Sequence, residues 1–261
     1  MKLKIYQADA FTDKLFSGNP AGVCPLSKWL PPATMQGIAS ESNLAATAFF
    51  VKEGKGFHIR WFSPIAELHL CGHATLAASH ILFTEEGHTS DVIHFESKSG
   101  PLIVRMDGKF ITLNFPADKY ERVKTPAELS ISLNIKPAEC FKGQMDYMLI
   151  YKNEEEILEL KPNFYAMKPI KARGFICTAK GSKSDFVSRF FAPSFGVDED
   201  PVTGSAHTTM VPYWSDILKK KQLTAIQLSE RRGYLKCADL GDRVELSGQA
   251  RTYMRGEIEI D

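Results

Sequence analysis

The sequence predicts an α+β protein of two pseudo-symmetric lobes, each a set of strands about one central helix, and three observations predict it. Arg60, Phe62 and Pro64 recur as Arg189, Phe191 and Pro193, each displaced by 129 positions (189 − 60, 191 − 62 and 193 − 64). Each set is followed by a short loop and a helix-like segment rich in Ala, Thr and Ser, within Leu68 to Ala78 in the first copy and Asp198 to Ala206 in the second. Short β-rich runs surround both, and 261 residues at 44% hydrophobic content suffice to fill a core in each half.

Lys2 to Asp9 alternates as a strand. Phe16-Ser17-Gly18-Asn19-Pro20-Ala21-Gly22-Val23 is a Gly/Asn/Pro turn running into apolar residues, either a border for a ligand or an ordinary turn between strands. Trp29-Leu30-Pro31-Pro32 opens a helix, since proline suits the first turn; Met35, Ile38 and Ala39 make its buried side and it ends near Ser42-Asn43. Ala46 to Val51 and Phe57 to Phe62 pair as a hairpin through Glu53-Gly54-Lys55-Gly56. The helix from His73 to Phe83 carries small residues on its first two turns, which suits a helix closely surrounded by backbone. Val92 to Glu96, Leu102 to Met106 and Phe110 to Phe115 complete the first lobe as strands.

A boundary is expected at Pro116-Ala117-Asp118, where a strand stops and a polar stretch begins, giving lobes of residues 1–116 and 117–249. In the second lobe helices are expected at Thr125 to Leu133, Glu154 to Leu160 and Val202 to Leu218, the last kinked or ended early by Pro212. Strands are expected at Asp146 to Tyr151, Gly174 to Ala179, Phe186 to Phe191, Ile226 to Ser229, Tyr234 to Ala238, Val244 to Ser247 and Thr252 to Ile260.

Composition narrows the partners. Lys+Arg 32 against Asp+Glu 31 leaves a net charge of +1 with no basic block or aromatic stripe, which argues against nucleic acid. Cys24, Cys71, Cys140, Cys177 and Cys237 are odd in number and widely spaced, unlike a zinc site or a secreted disulfide framework, so a reducing cytoplasm is expected. No apolar run is long enough to cross a bilayer, and no membrane partner is expected. No dinucleotide fingerprint appears, and no metal or other cofactor is expected. His69 and His73 have helical ligand spacing, but His69 falls in a loop and no carboxylate completes a site; His207 reads as a packed or surface histidine.

The two junctions carry the candidate chemistry. The 129-residue shift takes Cys71 onto Asp200. The first turn of a helix presents unpaired N–H groups and the positive end of the macrodipole, so two such starts suit a carboxylate. Gly72 permits close backbone approach, and Thr203, Gly204 and Ser205 offer hydroxyl, bare backbone and hydroxyl, unless Thr203 is simply an N-cap.

Four stretches carry a resemblance: Asp9-Ala10-Phe11 with Gly18-Asn19-Pro20-Ala21, Arg60-Trp61-Phe62-Ser63-Pro64, Leu70-Cys71-Gly72-His73-Ala74, and Glu199-Asp200-Pro201-Val202-Thr203-Gly204-Ser205-Ala206. With them the chain resembles, over nearly its whole length, the PhzF-like proteins of the phenazine-biosynthesis type in the diaminopimelate epimerase-like superfamily. The resemblance implies two lobes, each a β-barrel-like sheet wrapped around a central α-helix, with a C-terminal strand of about residues 250–261 returning to the first. It implies a cofactor-free site in the cleft between the lobes, and a homodimer. In epimerases of the superfamily one cysteine per lobe moves a proton beside a carboxylate, and the matching pair here is Cys71 and Asp200. In PhzF-like isomerases the histidine and aspartate matching His73 and Asp200 bind substrate, with Gly204 and Ser205 helping to hold its carboxylate; Asn19 stands in the matching Gly-Asn-Pro motif.

One position departs from the family pattern. The family's catalytic glutamate lies in a motif resembling Asn-Leu-Ser-Glu-Thr-Ala-Phe, and the chain has Asn43-Leu44-Ala45-Ala46-Thr47-Ala48-Phe49, with Ala46 in the glutamate's place and Ser40 where arginine is usual. The expected function is therefore a cofactor-independent isomerase or epimerase of a small carboxylate, with Asp200 as base, Cys71 as second group and His73 as orienter or acid. A thiol at a helix N-terminus tends toward thiolate, although a lone cysteine also serves as a small buried hydrophobe. The alternative is an inactive carboxylate-binding or regulatory protein that keeps the fold.

Overall fold

The computed structural model describes residues 1–261, in two compact units: Met1–Asn114 with Ser247–Asp261, and Phe115–Leu246. The first begins with β1 (Lys2–Ala10), β2 (Asn19–Leu26), α1 (Pro32–Ser42), β3 (Thr47–Glu53) and β4 (Gly56–Phe62). A two-residue β5 (Glu67–Leu68), the central helix α2 (Gly72–Thr84) and β6 (Val92–Glu96), β7 (Leu102–Asp107) and β8 (Phe110–Pro116) follow. The C-terminal strand Ala250–Glu259 runs antiparallel to β1.

Local chemistry explains the ends of these elements. The predicted hairpin forms with Glu53 opposite Gly56, and Gly54 takes the turn at φ 57°, where a side chain would be strained. Helix α1 stops at Asn43, whose left-handed backbone lets its N–H reach the carbonyls of Ala39 and Ser40. Phe49 and Phe62 pack with Met35 and Ile38 of α1, while α2 lies against β1, β2 and β3. Its first turns, His73 to Ser79, are buried throughout, which accounts for their small side chains.

The second unit runs β9 (Glu121–Arg122), α3 (Ala127–Ser132), β10 (Glu139–Lys142), β11 (Tyr147–Ile150), α4 (Glu154–Leu158), α5 (Phe164–Met167), β12 (Phe175–Lys180) and β13 (Phe186–Ala192). Then come β14 (Val197–Glu199), the second long helix α6 (Gly204–Leu218), β15 (Gln222–Gln227) and β16 (Gly233–Asp239); β17 (Arg243–Gly248) precedes the last strand, β18. Leu129, Leu149, Ile157, Met167, Phe175 and Phe191 form its core under α3, α4 and α5.

Strand sense repeats from unit to unit. From β1 through β2, β3, β4 and β6 to β7 the pairings are antiparallel, parallel, antiparallel, parallel and antiparallel. From β10 through β11, β12, β13 and β15 to β16 the same order holds. In each, a short strand, β5 or β14, adds to the second strand of the hairpin.

Four sequence expectations change. The strands β5, β9, β10 and β14 and the helix α5 were not anticipated, being two to four residues long and too short to show a period. Strand β15 starts at Gln222, four residues before the expected Ile226, because Gln222 and Thr224 occupy its exposed face. Helix α6 begins at Gly204 rather than Val202, and it runs through Pro212 to Leu218. Proline leaves the carbonyl four residues back without its helical donor. Here the Asp118 N–H bonds the Thr208 carbonyl at 3.1 Å, so the helix continues.

Candidate functional site

The helix starts hold most of the predicted site residues. Cys71 and Thr203 stand at the N-cap positions of α2 and α6 in extended conformation, and neither side chain caps its helix. Gly72 and Gly204 are the first residues of the two helices. Thr203 is thus at the N-cap but serves another purpose: its hydroxyl donates to Asp200 Oδ2 at 2.6 Å.

Register corrects one correspondence. The 129-residue shift holds through β13, but the segment from Phe62 to its β5 partner Glu67 is three residues shorter than that from Phe191 to its β14 partner Glu199. The second loop contains a 3-10 turn, Pro193–Phe195, ended by Gly196 at φ 80°. From there the displacement is 132 (199 − 67, 203 − 71 and 204 − 72), so Cys71 corresponds to Thr203, and Asp200 precedes the equivalent position by three residues. A constant shift had placed Cys71 opposite Asp200; the longer loop breaks that alignment.

At α2, Cys71 Sγ lies 3.5 Å from His73 Nδ1. Burial pushes the His73 imidazole down to about 4, so near neutral pH the ring is uncharged and offers one donor and one acceptor nitrogen. Thr75 donates its hydroxyl to the Cys71 carbonyl at 2.7 Å. In α6 the equivalent turn is tied by His207, whose Nδ1 donates to the Thr203 carbonyl at 2.8 Å. His207 is fully buried and tilted against Phe186, a packed histidine.

The remaining candidates are spread within their units. Asn19 opens β2, fully buried and opposite Ala10. Ser205, half-buried, occupies the first turn of α6. Ala46 is fully buried just before β3, and its carbonyl accepts from the Gly22 N–H at 3.0 Å. His69 lies in the loop before α2, where its carbonyl accepts from Ser99 Oγ at 2.8 Å.

Sequence reasoning missed the residues that support these loops. Arg60 makes two bonds to Glu67 at 2.7 and 3.0 Å, and Arg189 makes two to Glu199 at 2.8 Å each. The repeated Arg-x-Phe was visible, but its carboxylate partner changes spacing with the inserted turn. Ser99 and Ser229 form another matched pair, Ser229 Oγ donating to the Pro201 carbonyl at 2.8 Å. Gln227 has no such counterpart. Buried at the end of β15, its Oε1 accepts from the Thr203 N–H at 2.9 Å, and its Nε2 donates to the Asp200 carbonyl at 2.8 Å and to Thr203 Oγ1 at 3.2 Å. Gly233 faces the same loop, and a Cβ there would stand 2.1 Å from Val202 Cγ2.

The family model described as phenazine biosynthesis-like protein (PhzC-PhzF) matches residues 8–256. The chain belongs to this family. It is 45% identical over 260 residues to a Pseudomonas aeruginosa protein named "Uncharacterized isomerase PA2770", covering all of both chains. It is also 45% identical over 264 residues to "Uncharacterized isomerase BH0283" of Halalkalibacterium halodurans, covering 99% of each. Among solved structures, a PhzF-family phenazine biosynthesis protein from Enterococcus faecalis superposes with a TM-score of 0.97 at 42% identity over the full length of both. The α+β fold of the family, diaminopimelate epimerase-like, is therefore that of this chain.

Proposed function

We propose that this family member is a cofactor-independent isomerase that moves a proton on a small carboxylate, with Asp200 as base and Cys71 as the second proton-carrying group. The observation that carries the reading is the 2.6 Å bond from Thr203 to Asp200 at the start of α6, which holds a carboxylate in one orientation beside a helix N-terminus. Its relatives' names as isomerases support it.

In this reading Asp200 takes the proton from the carbon beside the substrate carboxylate. The C–H bond breaks, its electron pair passes into the carboxylate, and the added negative charge is stabilised by backbone N–H groups and helix dipoles. The Cys71 thiol then gives a proton to the carbanion at a different face or carbon. Asp200 is left protonated and Cys71 as thiolate, and exchange with solvent resets both. Neutral His73, 3.5 Å from the sulfur, orients the thiol and can pass its proton. Gly72, Gly204 and Ser205 hold the carboxylate in the same scheme, and Asn19 borders it. The scheme belongs to a cytoplasmic homodimer, which light scattering of the purified protein checks.

Ala46 favours a second reading. Its buried methyl group stands where the resemblance places the family's glutamate, and a protein lacking that acid would bind carboxylates without turning them over. Incubation in D2O with a panel of α-amino and α-hydroxy carboxylates separates the two. The isomerase incorporates deuterium at the α-carbon, or at the carbon that Cys71 protonates, and Asp200→Asn abolishes it; binding across the panel without incorporation at any carbon would establish the second reading instead.

A further inference from the structure

We infer that Gln227 is a positioning residue for the Asp200 carboxylate, acting through the Thr203 hydroxyl; as a statement about catalysis this rests on the isomerase reading above. Gln227 lies at the C-terminal end of β15, 24 residues beyond Thr203, and is fully buried. Its amide makes three hydrogen bonds to the segment that carries Asp200 into α6.

The order of donors fixes the direction of the chain. The Thr203 N–H is a donor, so the amide oxygen must face it at 2.9 Å; the Asp200 carbonyl is an acceptor, so the amide nitrogen must face that, at 2.8 Å. Rotating the amide by half a turn would set oxygen against carbonyl and nitrogen against N–H. The same nitrogen then presents its second hydrogen to Thr203 Oγ1 at 3.2 Å. A hydroxyl has one hydrogen to give, and with a donor on its acceptor side that hydrogen is directed to Asp200 Oδ2 at 2.6 Å. The carboxylate of Asp200 is thereby held from a rigid strand.

This support is particular to the second unit. The Ser99 bond to His69 and the Ser229 bond to Pro201 brace the two junctions alike, but Ser97, at the place of Gln227 in the first unit, turns its hydroxyl to the Gly100 carbonyl at 2.8 Å within its own turn. Thr203 replaces Cys71 at the equivalent N-cap, so a hydroxyl that orients an aspartate stands where the other unit has a thiol. Val202, packed beneath Gly233, closes the loop from the other side.

The test uses the whole protein with Gln227→Met, Thr203→Val and Thr203→Ser. Two readouts are taken: deuterium incorporation on the carboxylate panel, resolved into kcat and KM, and the titration of Asp200 in ligand-free protein by carbon NMR with labelled aspartate. Loss of a hydrogen bond to a carboxylate makes its charged form less favourable, so Gln227→Met and Thr203→Val should both move the Asp200 titration upward. Both should lower kcat by about 10- to 100-fold with KM changed by less than about 3-fold. Thr203→Ser, which returns the hydroxyl, should recover most of what Thr203→Val loses. Thr203→Val with wild-type kcat and wild-type titration would overturn the inference, as would Gln227→Met that lowers only the melting temperature. If Gln227→Met does not fold, the two Thr203 variants decide. If the wild type shows no exchange on any carboxylate, the isomerase reading fails while the NMR titration still decides whether Gln227 and Thr203 orient Asp200.

Discussion

Arg189 grips both oxygens of Glu199 at 2.8 Å and donates its remaining nitrogen to the Leu160 carbonyl at 2.9 Å and the Ile157 carbonyl at 3.3 Å. The pair ties the approach to Asp200 to the end of α4, whereas Arg60 holds Glu67 without such carbonyls and packs over Trp29 and Phe62. Removing one partner of a largely buried pair leaves the other charge poorly solvated. Arg189→Met should therefore cost about 3 kcal/mol in urea unfolding and Arg60→Met about 1–2 kcal/mol, the difference reflecting the abandoned carbonyls.

Two buried histidines, His73 and His207, and the half-buried His80 set the acid response. Burial lowers His73, His80 and His207 to about 4, each from the usual 6.5. Between those limits the unfolded chain binds protons that the folded one does not, so their contribution to stability is complete above about pH 6.5 and is lost as pH falls toward 4. For the two buried rings, His73 and His207, the loss is on the order of 3 kcal/mol each. Glu67, held down to about 2 chiefly by the Arg60 hydrogen bonds, adds a separate loss from about pH 4.5 downward. Urea midpoints from pH 8 to pH 4 should fall mainly below 6.5, and His207→Gln should flatten that fall.

Thiol chemistry should single out Cys71. Burial pushes Cys24 and Cys177 up to about 12 and raises Cys140 and Cys237 as well. Cys71 is 8% exposed while the other four are 0 to 2% exposed. Iodoacetamide at pH 7.5 should label Cys71 at least ~10-fold faster than any other cysteine, as read by peptide mass spectrometry. Even labelling of all five, or a faster Cys24, would contradict the arrangement.

Ala46→Glu puts a carboxyl group into a fully buried position. The unfolding free energy should fall by about 2 kcal/mol or more. Any gain in deuterium exchange should stay below ~10-fold, because a carboxyl group introduced alone is not held in productive geometry. A fully stable variant with a far larger gain would show that the pocket was already built for the acid.

Gly233→Ala tests the bracing of the Asp200 loop. A Cβ 2.1 Å from Val202 must displace that side chain and with it the backbone entering α6. A loss of about 1–3 kcal/mol is expected, with a weaker response of exchange to Thr203→Val than in the wild type because the loop has already shifted.

The α+β class, the long helices and most strands were legible because their periods extend over enough residues to register, as in the alternating run from Lys2 and the small-residue face of α2. The Cys71-Gly72-His73 and Thr203-Gly204-Ser205 starts were legible for a different reason: glycine and a small polar residue before an apolar helix are local signals. Tertiary structure alone decided the correspondence between the two starts, since a 3-10 turn adds three residues that no period reveals. It also decided how α6 survives Pro212, because the donor that takes the Thr208 carbonyl comes from Asp118, 90 residues away. Gln227 was invisible in the sequence for a physical reason: within the expected strand Ile226 to Ser229 a glutamine carries no sign of what its amide faces. Only folding brings the Asp200–Thr203 backbone within 3 Å of its amide and makes it a buried strut.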